Sequence, residues 1–225
     1  MKNKFLFCLI GFILLSVPLE TIAQENSKYY AIAGIQHMKF KNLNEKLKSN
    51  NLPETNSRHY YLGLGGNTDF GKIILGGEGY LHHSSSSNLD PHLDILLVLN
   101  ESNGGMGYLY AGYKVLNSPR FYFYPRVGLG AGGVNVKIKP ESSLPLDSFL
   151  SKPRTYELST GNFIFHSGLK FGFELSEDFD FNFDVGYNLG LNKNKWNSGV
   201  GRVTESVADP IGGAFAQIAM VFAIY

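Results

Sequence analysis

The chain has 225 residues, with 20 Lys plus Arg against 19 Asp plus Glu. Without a basic stripe or an acidic tail it offers no electrostatic footprint for a nucleic acid, and no nucleic-acid partner is expected. Its 26 glycines, 17 phenylalanines and 13 tyrosines stand against one tryptophan, a composition that points to β-structure in a chain with few long helical patterns.

The first elements in chain order belong to export. Lys2 and Lys4 give a basic start, an apolar run follows over residues 5–17, and Thr21-Ile22-Ala23 supplies small residues at a cleavage site. This predicts a signal peptide over 1–23, cleaved after Ala23 so that Gln24 leads a single domain over 24–225. The apolar run is too short for a transmembrane helix and is closely followed by Pro18 and Glu20. Cys8 is the only cysteine and lies early in that run, away from the cleavage point, so lipidation is not expected. The mature chain then lacks a disulfide, a thiol nucleophile and a cysteine-based metal site.

Beyond the signal, apolar residues recur with a period of two and no segment keeps a helical period for more than a few residues. Candidate strands cover 28–38, 59–68, 72–83, 105–116, 121–131, 162–175, 179–192 and 211–225. The contrast is highest over 179–192, where Phe179, Phe181, Phe183, Val185, Tyr187, Leu189 and Leu191 share one face. Asp180, Asn182, Asp184, Gly186, Asn188, Gly190 and Asn192 share the other. In the fifth strand the alternation slips at Gly132-Gly133, after which Val134, Val136 and Ile138 take the other parity. A glycine-based bulge would account for the slip. Tight turns around Asp69-Phe70-Gly71, Asn117 to Arg120 and Ser176-Glu177-Asp178 alternate with long polar loops over 39–58, 84–103, 139–161 and 193–210. That alternation is expected of an up-and-down barrel with short turns on one side and long loops on the other.

A period of two does not say which face is inside, and a soluble lipocalin-type barrel is the competitor. In the clearest strands Glu78, Arg126, Lys170, Glu174, Asp180 and Asp184 all avoid the phenylalanine face. Their own face is rich in Gly, Asn and Tyr rather than in long charged side chains, which suits a narrow lumen better than a solvated surface. These six form a predicted luminal charge network, whose members must pair because an isolated buried charge is costly. Phe121, Tyr122, Phe123 and Tyr124 beside a turn are expected in an interfacial aromatic girdle.

In this pattern, and in a last strand that ends in Phe222 and Tyr225, the chain resembles the small outer-membrane barrels of OmpA and OmpX type. The lysine-led signal ending in Ala-Gln resembles versions in Bacteroidota, including PorT-like barrels of a secretion system. The resemblance implies an all-β fold: a closed, up-and-down, antiparallel transmembrane β-barrel of eight strands, integral to a Gram-negative outer membrane. It implies contact with outer-membrane lipids and, during biogenesis, with the barrel-assembly machinery, for which Phe222 and Tyr225 would be the signal. Both faces of the last strand are apolar, and Tyr225 is assigned to the lipid side by the resemblance alone.

Candidate chemistry is sparse. His82 and Ser84 share a face at the end of the third strand, and outer-membrane lipid A deacylases use a His-x-Ser element on a similar barrel. A serine nucleophile needs a base and an orienting partner, however, and no partner is identifiable. His166 and Ser167 are adjacent and point to opposite faces, so they do not make such a pair. Asp90, His92 and Asp94 alternate in a loop and are candidates to meet a cation. The runs Gly63 to Gly66 and Gly128 to Gly133 open no helix and read as strand glycines, not nucleotide loops. No cofactor or metal is expected. The reading is a non-enzymatic barrel with an envelope-structural role or a surface-interaction role through its long loops, 39–58 and 139–161 foremost, toward an extracellular or envelope protein. The alternatives are a lipid A-modifying hydrolase using His82 and Ser84, and a narrow channel or accessory barrel of a secretion complex.

Overall fold

A computed structural model of the chain describes residues 27–50, 52–88, 97–118, 120–141, 155–176, 179–198 and 207–223. The predicted signal with Cys8, the loop residues Asp90, His92 and Asp94, and Tyr225 lie outside the described residues. The elements are β1 (Ser27–His37), α1 (Lys41–Ser49), β2 (Arg58–Phe70), β3 (Ile73–Asn88), β4 (Leu97–Tyr113), β5 (Leu116–Ser118), β6 (Phe121–Glu141), β7 (Tyr156–Ser176), β8 (Phe179–Gly190), β9 (Asn197–Ser198) and β10 (Gly213–Ala223). Strands β5 and β9 are short appendages on β6 and β7. The other eight pair antiparallel in chain order, β1 with β10 as well as β2, and β6 with β7 as well as β4. The sheet therefore closes on itself, and closure removes the edges that a membrane does not tolerate. At one end β2 turns into β3 through Gly71, whose φ of 66° is the left-handed conformation such a turn needs.

The two faces divide sharply. Leu62, Leu64, Leu81, Leu109, Leu129 and Phe163 point outward and are between 58 and 71% exposed, a continuous apolar belt that only lipid can cover. Exposed Tyr29 and Tyr113 lie toward the turn end of the belt, with Tyr60 and Tyr187 toward the other. The predicted girdle needs correction here. Phe121 and Phe123 face outward, Phe123 packing on Phe171 at 4.8 Å, but Tyr122 and Tyr124 are buried in the lumen. The parity of the strand, not its aromatic density, decides the side.

Inside, tyrosine is matched to glycine across strands. Tyr30 faces Gly65, Tyr61 faces Gly34, Tyr80 faces Gly63, Tyr108 faces Gly130, Tyr110 faces Gly128 and Tyr122 faces Gly172. A Cβ on Gly172 would run into the ring of Tyr122. The rings of Tyr30, Tyr61 and Tyr122 lie over the gaps left by Gly65, Gly34 and Gly172, and that of Tyr110 over Gly76, which ties the abundance of the two residue types together.

Two sequence expectations change. The slip at Gly132-Gly133 is not a bulge: β6 keeps unbroken register with β7 from Phe121↔Phe173 to Ile138↔Tyr156, and an irregularity is recorded instead between Glu174 and Ser176. Val134, Val136 and Ile138 point inward like Arg126 and Tyr124 below them, and each is at most 2% exposed. Much of the supposed loops is also strand. Strands β3, β4, β6 and β7 have 16, 17, 21 and 21 residues, against 11, 13, 12 and 11 for β1, β2, β8 and β10. The four long strands are neighbours, and they continue past the belt as a wall beside the barrel mouth. Among the described residues, outward side chains there are polar, with Lys139 bound to Glu101 at 3.0 Å and Lys137 near Glu157 at 3.8 Å.

Helix α1 is a further departure, since no helix is evident in the alternation. Only Leu43 and Leu47, four residues apart, face the core, too few positions to make a readable period.

Candidate functional site

The lumen is filled at two levels by different chemistry. At mid-height Glu78 from β3, Arg126 from β6, Lys170 from β7 and Asp184 from β8 meet, each no more than 2% exposed. Strand register brings them together: Lys170 lies opposite Asp184, and Asp184 opposite Gln217 of β10. Arg126 is paired with both Glu78 and Asp184, its Nη2 donating to Glu78 Oε2 at 3.1 Å. Lys170 Nζ donates to Glu78 Oε1 at 3.0 Å. Gln217 Nε2 donates to Glu78 Oε2 at 3.0 Å and Asp184 Oδ2 at 3.2 Å, and its own Oε1 accepts from Tyr61 at 2.9 Å. Tyr30 donates to Glu78 at 3.0 Å, and Tyr108 donates to it as well. Two cations and two carboxylates leave the group formally neutral. The rings of Tyr30 and Tyr110 receive Lys170 and Arg126 at 4.4 and 4.7 Å, a favourable use of the π faces between buried groups.

The remaining members of the predicted network are elsewhere. Asp180 and Glu174 sit at the turn end, where Lys28 bonds Asp180 at 2.6 Å and lies 3.8 Å from Glu174. Lys114 pairs with Asp69 at 2.6 Å beside them, around a cavity of about 50 Å³. Lys28, Gln217 and the luminal tyrosines escape a sequence search for charges. Lys28 stands at the start of the first strand, where parity has little pattern behind it, and the others carry no formal charge.

Above the network the lumen is closed by an apolar cap, with the uncharged polar side chains Gln36, His59, His82, Ser84 and Ser102 buried beneath it. Met38, Phe40, Leu43 and Leu47 form one core cluster with Val136, Ile138, Ile164, Trp196 and Ile211. Helix α1 has no capping side chain of its own at Phe40. Asp209 supplies it from the other end of the chain: its carboxylate accepts from the backbone amides of Asn42 and Leu43, both at 2.9 Å, and from Trp196 Nε1 at 3.1 Å. A carboxylate at this end also complements the helix dipole. Asn44 ties the returning chain to the helix through Thr55, and Asn100 of β4 bonds Thr55 and the Pro53 carbonyl.

His82 and Ser84 both point inward beneath this cap, but no hydrogen bond joins them: Ser84 Oγ donates to the Arg58 carbonyl at 2.6 Å. His82 stands edge-on to His59 at 5.2 Å, and it is His59 Nε2 that meets a hydroxyl, Ser102 Oγ, at 2.8 Å. His166 lies deeper, stacked on Tyr108 at 4.0 Å and bonded to Asn188 at 2.8 Å. Among the described residues no three His, Cys, Asp or Glu side chains converge as a metal site would require. On β10, Ile218, Met220 and Phe222 face outward and Ala219 and Val221 inward.

A closed ring with a lipid-facing belt and a filled core defines a membrane-spanning β-barrel. The chain belongs to the outer membrane protein beta-barrel domain family, which its sequence matches over residues 7–203, and it is an integral protein of the Gram-negative outer membrane. Among solved structures it is similar to Ail, the attachment invasion locus protein of Yersinia pestis, determined with the heparin analogue sucrose octasulfate. The TM-score is 0.52 at 10% identity over 88% of this chain and 98% of that one. Neisserial surface protein A gives 0.46 at 6% identity over 88% and 97%. OprG of Pseudomonas aeruginosa gives 0.42 at 16% identity over 90% and 98%. At such identities the likeness is one of fold. No curated protein sequence matches the chain.

Proposed function

We propose that the protein is a non-enzymatic, non-conducting barrel that carries a contact surface on the outside of the cell. The observation that carries this reading is the lumen, occupied by the Glu78–Arg126–Lys170–Asp184 group at mid-height and by an apolar cap above it. Eight strands leave room for side chains and little else. A filled lumen argues against transport and turns attention to the outer surface, which is unusually built. The β3-β4-β6-β7 wall carries polar side chains outward, and α1 presents Lys41, Lys46 and Lys48 to solvent. The segments 39–58 and 139–161 are the contact elements in this reading, and the partner is an extracellular or envelope protein.

The other partners follow from the location: outer-membrane lipids around the belt, and the barrel-assembly machinery engaging Phe222 and Tyr225 after export on a signal over 1–23. The accessory barrel of a secretion complex is a special case of the same contact role. Hydrolysis through His82 and Ser84 is disfavoured, because the serine is committed to a backbone carbonyl and both side chains are buried.

Planar-bilayer recordings at neutral pH are expected to lack discrete conductance steps, and lipid A mass spectra of deletion and parent strains to be identical. A chain with the β6–β7 hairpin shortened to its Gly133–Gly161 pair should still insert with heat-modifiable migration. It should fail to restore whatever surface phenotype the deletion shows. Restoration by the shortened chain would defeat the contact-surface reading.

A further inference from the structure

We propose that the cap built on α1, Trp196 and Asp209 is an acid-releasable lid, freed from the barrel mouth when His59 and His82 take up protons. The two imidazoles are 0% and 2% exposed and meet edge to face at 5.2 Å. His59 in turn packs edge-on against Phe40 at 5.6 Å, and Phe40 against Trp196 at 5.9 Å. Phe40 leads directly into α1, and Trp196 shares Asp209 with the first turn of that helix. A contiguous set of contacts thus runs from the histidine pair to the base of the lid.

No carboxylate is free to meet a positive charge at the pair. Strand β4 offers His59 the Ser102 hydroxyl, the Ser57 carbonyl lies beside His59 and the Gly133 carbonyl of β6 beside His82, neither in a hydrogen bond of sound geometry, and β1 sets the neutral amide of Gln36 opposite His59. The titratable groups that β3 and β1 add are two more imidazoles, His83 and His37. The nearby carboxylates are taken. Glu101 of β4 faces outward to Lys139, Asp209 is held by α1 and Trp196, and Glu78 and Asp184 are bound to Arg126 and Lys170 further down. A proton on either ring would sit in a buried pocket without a counter-charge, and a second would set two cations against each other.

With the lid off, both rings are hydrated and titrate normally. Above the ordinary imidazole value of about 6.5 both states hold neutral rings, and pH does not affect the lid. Below it the lid-off state binds more protons. Each further pH unit then shifts the balance toward release by up to about tenfold per histidine, or about a hundredfold for the pair. The barrel itself stays, since strand pairing and the mid-height network do not involve these rings.

Trp196 makes the test direct, being the single tryptophan of the chain and 2% exposed. Its emission is followed in detergent micelles from about pH 7.5 to about pH 4.5, across the range in which imidazole changes charge. The expected result is a reversible red shift with several-fold greater acrylamide quenching below about pH 6.5, while heat-modifiable migration persists. The His59→Gln/His82→Gln double variant should hold its emission constant over the range. Should that variant fold poorly, His82→Gln alone, which loses no hydrogen bond, should flatten the pH dependence to about one proton's worth. Unchanged emission in the parent chain overturns the proposal. So does an acid shift that survives in the histidine variants and disappears in Asp209→Asn, which would assign release to the carboxylate.

Discussion

Strand β6 passes through two surroundings, and its halves below and above Gly132 read as opposites. Over residues 121–131 the outward side is apolar, Val127 and Leu129 being 53% and 63% exposed, while Tyr124 and Arg126 are buried inside. Over residues 132–141 Asn135, Lys137 and Lys139 face outward, and Val134, Val136 and Ile138 are buried. The strand has not turned over; the solvent has changed. Lipid is as apolar as a side chain, so within the belt no hydrophobic drive sends apolar residues inward, and the lumen is free to hold a hydrogen-bonded charge network. Past the belt water is outside, the ordinary rule returns for this strand, and Val134, Val136 and Ile138 bury themselves with the cap. An inversion of polarity at constant register therefore marks the level at which the strand leaves the membrane.

The largest expected effect lies in the lower region. Glu78→Ala removes the acceptor shared by Arg126, Lys170, Tyr30, Tyr108 and Gln217, leaving Lys170 buried without the carboxylate it is bonded to. Breaking a buried pair in this way costs about 3–5 kcal/mol, measurable as a lower urea midpoint in the gel-shift assay of folded barrel. Next in size is a contrast on one face of one strand. Leu129→Arg should cost about 2–4 kcal/mol because it meets hydrocarbon, whereas Asn135→Arg, six residues on along the same side of the strand, gives up one hydrogen bond to Glu157 but gains a cation beside that carboxylate, and should cost no more than about 1 kcal/mol. Equal costs at the two positions would remove the membrane boundary from Gly132.

How much of this was legible in the sequence follows from the same contrast. Within the belt the surroundings are uniform, so alternation alone gives the sides of β7 and β8 and the inward placement of Glu78, Arg126, Lys170 and Asp184. It does not give their height. Glu174 and Asp180 share that parity but sit at the turn end beside Lys28, because height depends on register between strands distant in sequence. Above the belt the alternation is still present with its meaning reversed, so a continuous strand looks like a bulge followed by loop. The cap is less legible still: α1 shows only Leu43 and Leu47, and the residue that caps it, Asp209, is 166 residues from Leu43.

The smallest effects separate the cap from the wall. Asp209→Ala deprives two helix amides and the Trp196 indole of their acceptor; loss of a capping side chain costs about 1 kcal/mol, within a range of about 0.5–2. Because the carboxylate binds the cap and not the barrel strands, that cost should appear locally. Trypsin should cleave faster after Lys41, Lys46 and Lys48, with the urea midpoint of the barrel barely moved. Lys139→Ala breaks a pair with Glu101 whose side chains are 45% and 26% exposed, worth no more than about 1 kcal/mol before screening by salt. It should change neither measurement. If Asp209→Ala instead lowered the barrel midpoint as much as Glu78→Ala, the two levels of the lumen would be one cooperative unit, and their separate chemistries would not correspond to separate stabilities.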